Sequence, residues 1–61
     1  MNLKSYLVKN ADKYVCLDTP CWRKIALGSE LLEILDDYDL NEFPTSVEGG
    51  ADDYDVWIHI N

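Results

Sequence analysis

The sequence predicts a small α+β fold: an antiparallel sheet of two hairpins with one central helix, straight or kinked, packed on one face. Three observations carry this expectation. Residues 54–60 alternate, with Val56, Ile58 and Ile60 on one parity and Asp55, Trp57 and His59 on the other, the period of a half-buried strand. Leu27, Leu31, Ile34, Leu35 and Tyr38 share one stripe at helical spacing. Polar turn clusters at 9–13 and 49–53 each precede a run rich in β-branched and aromatic residues.

The first segment, Asn2 to Val8, has two readings. It alternates well enough for a strand that pairs through the turn with Tyr14-Val15-Cys16-Leu17, and Leu3, Tyr6, Leu7, Asn10 and Ala11 also fall at helical spacing. The β-favouring run after the turn favours the hairpin. Asp18-Thr19-Pro20 then reads as a helix start, since Asp18 or Thr19 accepts from the first free N–H groups and Pro20 suits the first helical position. The helix continues to the region Tyr38 to Asn41, with a bend at Gly28-Ser29 because Trp22, Ile25 and Leu32 lie off the main stripe. On this wheel Glu30, Glu33, Asp36 and Asp37 occupy an arc of about 120° opposite the apolar stripe. Asp36, Asp37 and Asp39 then fall at the negative end of the helix dipole, which weakens the helix. Phe43 to Glu48 forms the partner of the last strand, and Pro44 makes it an edge strand or a strand start.

With 61 residues the chain is a single small acidic domain, residues 1–61, burying only about 60% of its unfolded surface. At 48% hydrophobic residues it is too apolar for the disordered class. No stretch approaches the roughly 20 apolar residues of a membrane span, and Lys4 with the polar residues 9–13 interrupts any signal core, so the expected compartment is the cytoplasm. There Cys16 and Cys21 are expected as reduced, buried thiols. With His59 as the single histidine, a tetrahedral zinc set is one ligand short, so no metal or other cofactor is expected. Enzymatic chemistry is not expected either. Asp55 lies about 13 Å from His59 along a strand, and Gly49-Gly50 sits among Glu48, Asp52 and Asp53, which repel phosphate.

Charge carries the functional expectation. Residues 1–24 hold all five basic side chains and sum to +3; residues 25–61 hold ten carboxylates and no lysine or arginine. Such a field repels nucleic acid and anionic lipid and attracts a basic protein surface. The pattern DDYD followed by an aliphatic residue occurs at Asp36–Leu40 and again at Asp52–Val56, and tyrosine flanked by acids suits arginine-rich surfaces. The candidate partner-binding residues are therefore Glu30, Glu33, Asp36, Asp37, Tyr38, Asp39, Glu42, Asp52, Asp53, Tyr54, Asp55 and Trp57. A duplex shows one negative charge per about 1.7 Å, and the acidic row approximates a short charged ridge. In charge layout over residues 30 to 55 the chain resembles the small inhibitors that bacteriophages make against host restriction, CRISPR or transcription machinery. That resemblance implies a DNA mimic acting in the host cytoplasm on a nucleic-acid-binding protein. An antitoxin-like, immunity-like or adaptor protein that binds a basic partner without mimicry is the alternative. A homodimer joined through an exposed strand edge is the third reading.

Overall fold

The computed structural model describes residues 1–61. Its first element follows from Asn2, whose Oδ1 accepts hydrogen bonds from the Ser5 N–H at 3.0 Å and the Ser5 hydroxyl at 2.9 Å. That N-cap starts helix α1 (Leu3–Lys9), which buries Leu3 and Leu7 one turn apart. Asn10 caps its other end and is itself buried, with its side-chain amide donating to the Tyr6 carbonyl at 2.8 Å. The expected hairpin over residues 2–17 does not form. Helical spacing prevails because it places both leucines on one buried stripe.

Strand β1 (Tyr14–Asp18) pairs instead with β2 (Arg23–Leu27), antiparallel, in the register Tyr14↔Leu27 to Asp18↔Arg23. The expected helix start at Asp18-Thr19-Pro20 is therefore a hairpin turn. Thr19 Oγ1 accepts from the Trp22 N–H at 3.0 Å and the Cys21 N–H at 3.3 Å, and the Thr19 N–H donates to the Trp22 carbonyl at 2.9 Å. A threonine hydroxyl that satisfies N–H groups two and three residues on serves a turn as well as it serves a helix cap.

Helix α2 (Gly28–Ile34) begins where β2 ends, so the one long helix expected from the sequence divides into a strand and separate helices. Gly28 marks the point of closest approach. A methyl group there would overlap the Asn10 carbonyl and come within 2.7 Å of the Leu7 carbonyl oxygen, although the backbone conformation itself is ordinary. The Gly28 and Ser29 N–H groups donate to the Lys13 and Ala11 carbonyls, fastening α2 to the chain just beyond α1. Leu35 is extended (φ −86°, ψ 145°) and ends α2. Asp36 then caps α3 (Asp37–Leu40), accepting from the Asp39 N–H at 2.9 Å. The carboxylates expected at an unfavourable helix C-terminus thus sit at a favourable N-terminus. Because the helix stops at Ile34, the expected apolar stripe breaks up: Leu31 is buried, whereas Ile34 and Tyr38 are exposed.

Strands β3 (Ser46–Gly49) and β4 (Val56–His59) make the expected antiparallel hairpin, with β3 at the edge after Pro44. The sheet order is β2-β1-β4-β3, and β1 runs parallel to β4, so the sheet is mixed rather than wholly antiparallel. Val15, Leu17, Ala26 and Ile58 project from one face into a core closed by Leu3, Leu7, Leu31 and Leu40 of the three helices. The other face carries no helix. The architecture is a two-layer α+β domain with one open sheet face.

Gly28→Ala decides between two effects of opposite sign. Helix propensity alone would stabilise by about 1 kcal/mol; backbone overlap is expected to win and destabilise by roughly 1–3 kcal/mol, read as a lower urea midpoint at unchanged slope.

Candidate functional site

The open face is organised by register into rows that cross the sheet. One row, Arg23–Asp18–His59–Ser46, takes a residue from each of the four strands. The next is Ile25–Cys16–Trp57–Glu48. Arg23 donates to Asp18 Oδ2 at 3.1 Å and places its guanidinium 5.4 Å from the centroid of the Trp57 ring. His59 lies between two carboxylates, with Nε2 2.8 Å from Glu48 Oε2 and Nδ1 3.7 Å from Asp18 Oδ2. The first contact is close but too poorly aligned for a hydrogen bond. The Trp57 ring stacks at a tilt on His59, with centroids 4.5 Å apart, and meets Tyr54 edge-on at 6.1 Å.

These contacts set the electrostatics. The hydrogen bond from Arg23 is the main reason that the Asp18 carboxyl lies below the usual aspartate range; the charges of Arg23 and His59 and the nearby Trp57 indole N–H act in the same direction. The Asp18 carboxylate in turn raises the pKa of Arg23. Cys16 sits on this open face yet is fully buried, flanked by Ile25 and Trp57, and burial pushes its thiol up. Cys21 lies exposed in the β1–β2 turn, a departure from the expectation of two buried thiols, because residues 19–22 form a hairpin tip rather than a helix. The thiols are both free.

Asp18, His59 and Ser46 are the residue types of a nucleophilic triad, and the row makes them neighbours. The geometry differs from a triad where it matters: Nε2 faces Glu48, and Ser46 makes no hydrogen bond to the imidazole. Strand spacing sets Asp55 too far from His59 to pair with it; register supplies Asp18 and Glu48. This polar row was not legible beforehand, since Asp18 and His59 meet only through the parallel β1–β4 pairing.

Two adjoining clefts open where β1 and β4 both end. The larger, about 390 Å³, is lined by Asp18, Thr45, Ser46 and His59. The smaller, about 210 Å³, lies between the hairpin tip and α3, with Trp22, Tyr38, Asp39 and Glu42 among its walls. Thr19, Pro20, Ile60 and Asn61 are shared between them.

The candidate acidic residues divide by position. Glu30 and Glu33 are exposed on α2, and Glu30 Oε1 also accepts from the Leu27 N–H at 3.3 Å. Asp36, Asp37, Tyr38, Asp39 and Glu42 lie around α3, at the end of the molecule that holds the smaller cleft. Asp52, Asp53, Tyr54 and Asp55 lie at the opposite end of β1, where Asp55 Oδ2 accepts from the Tyr14 N–H at 3.1 Å. The two DDYD segments are thus held apart by the length of β1, about 13 Å. The single helical row Glu30–Glu33–Asp37 is interrupted at Leu35–Asp36, so these carboxylates follow a line along two helices rather than one face of one helix. Of the twelve carboxylates, Asp18 and Glu48 alone have a cationic or histidine partner within 4.0 Å. Trp57 belongs to the open face, separate from the α3 cluster.

Two measurements check this site. Alkylation of the native protein is expected to modify Cys21 rapidly and Cys16 only on unfolding; equal rates would contradict the buried Cys16. Asp18 binds a proton less readily folded than unfolded, so its contribution to stability is complete above about pH 4 and is lost as pH falls through its lowered pKa. The stability gap between wild type and Asp18→Asn should accordingly be largest near neutrality and shrink as pH falls below the usual aspartate range; a gap that stays constant would exclude the ion pair as its source. No protein family, curated protein or solved structure matches the chain, and the site is read from its own geometry.

Proposed function

We propose that this chain is an acidic inhibitor that binds a basic, nucleic-acid-binding protein and blocks the site where that protein receives phosphates. The observation that supports this reading is the unneutralised charge: ten carboxylates on residues 30–55, nine of them without any cationic or histidine partner within the chain. They lie along α2 and around α3, with a separate group at residues 52–55 toward the opposite end of β1 from α3, and no helix is long and apolar enough to cross a membrane. Within a Debye length of about 8 Å such a surface steers a basic partner into contact, and it competes with nucleic acid because both present closely spaced anions.

The open sheet face favours a second reading. Tyr14, Ile25 and Trp57 leave aromatic and aliphatic surface available there, as a neutralising protein of the antitoxin or immunity type would use to anchor a basic partner away from its nucleic-acid site.

Competition separates the two. A partner captured from lysate of the source cell should be released by duplex DNA or RNA under the inhibitor reading and retained under the second. Glu33, Asp37 and Glu42 make no side-chain hydrogen bond or ion pair within the chain, so reversing all three to lysine tests charge with little disturbance of the fold. At roughly 1 kcal/mol per exposed contact, the triple variant should bind about 100-fold more weakly. Unchanged affinity would remove the helical acidic surface from the interface.

A further inference from the structure

We infer that the smaller cleft, between the β1–β2 turn and α3, is a receptor for one arginine side chain presented by the basic partner, an inference that rests on the inhibitor reading for its source of arginine. The cleft combines two features. Asp39 and Glu42, both partly exposed residues, line it, and neither has a cation within 4.0 Å. Trp22 and Tyr38 bring aromatic rings that are 42% and 76% exposed. None of the nine lining residues is basic, so nothing within the cleft competes for those acids.

Its size and chemistry narrow the ligand. At about 210 Å³ the cleft falls below the roughly 300 Å³ at which pockets for whole small molecules begin, and it suits a single long side chain. Exposed aromatic faces beside carboxylates favour the planar guanidinium, which stacks on a ring while its N–H groups pair with oxygen; a lysine ammonium is a point charge and cannot stack. The chain already uses this chemistry internally. Arg23 rests over Trp57 while bonding to Asp18, the same set of arginine, aromatic ring and carboxylate, on the open face. The cleft offers the ring and the carboxylates with the arginine left to come from outside. It also gives the first DDYD segment a physical role: Asp36 caps α3, and Tyr38 and Asp39 then reach the cleft.

The test is a titration of isotope-labelled protein with the peptide acetyl-Gly-Arg-Gly-amide, followed by NMR, beside otherwise identical peptides carrying lysine or the neutral isostere citrulline. The Trp22 indole signal and the amides of Tyr38, Asp39 and Glu42 should shift with arginine, while the Trp57 indole stays in place. Lysine should bind several-fold more weakly and citrulline should not bind. Glu42→Gln and Tyr38→Ala should each weaken the arginine peptide about 5-fold, whereas Glu33→Gln, which removes an equal charge outside the cleft, should leave it unchanged. Both cleft side chains are free of internal hydrogen bonds and Tyr38 is largely exposed, so unaltered melting curves will confirm that the variants fold. Shifts spread evenly over the acidic surface, or equal losses from Glu33→Gln and Glu42→Gln, would overturn the receptor in favour of diffuse attraction. The inhibitor reading fails separately. Arginine bound in the cleft with no partner displaceable by nucleic acid would keep the receptor and discard mimicry. A displaceable partner whose affinity is unmoved by Tyr38→Ala would do the reverse.

Discussion

The parallel register between β1 and β4 is the constraint on which the rest of the structure depends. Val15 meets Val56 and Leu17 meets Ile58, residues 41 positions apart, and this pairing joins the two hairpins into one sheet. A slip by one residue would turn Trp57 and His59 toward the helices and Ile58 toward solvent. Burial of Val15, Leu17 and Ile58 against Leu3, Leu7 and Leu31 opposes such a slip. The same register aligns Arg23, Asp18, His59 and Ser46, and it brings the ends of β1 and β4 together beside α3. Both the polar row and the clefts are consequences of how the core is aligned.

A chain this short covers only one sheet face with helices, and the second face substitutes side chains for a layer. Ile25 and Trp57 flank Cys16, Arg23 lies over Trp57, and its ion pair with Asp18 holds that arm across the sheet. Polar groups here act as packing as well as charge, since the arginine stem and guanidinium plane shield apolar surface. The surface that remains for a partner is thus divided between an aromatic and mixed-charge sheet face and a helical side that is acidic along α2 and α3 and carries Lys4 and Lys9 on α1.

What was legible in the sequence was local. The alternation of Val56, Ile58 and Ile60 identifies β4, and Pro44 followed by turn residues identifies an edge strand before it. The error at residues 2–8 arose because strand and helix periods both fit; the Asn2 cap, with Ser5 three residues on, was the deciding signal. β2 was hidden because Thr19 and Pro20 suit a helix start as well as a hairpin tip, and because Arg23 and Lys24 obscure the alternation of an exposed edge strand. The break at Leu35–Asp36 was obscured for a similar reason, since a capping aspartate within an acidic run resembles one more surface charge. Of the candidate site, acidity and the residues around α3 could be read directly. The joining of Trp22 to Tyr38, Asp39 and Glu42, and of His59 to Asp18 and Glu48, depends on strand order, which composition and spacing do not encode.

The two edges of the sheet carry opposite signs. β2 ends the sheet with Arg23 and Lys24, and β3 ends it with Glu48. Neither edge strand is covered by a further strand, so each leaves a row of backbone donors and acceptors open to pairing. The net charge of −7 opposes every such encounter between copies. The surplus acid therefore also acts against edge-to-edge association, as a colloidal safeguard for two uncovered strands.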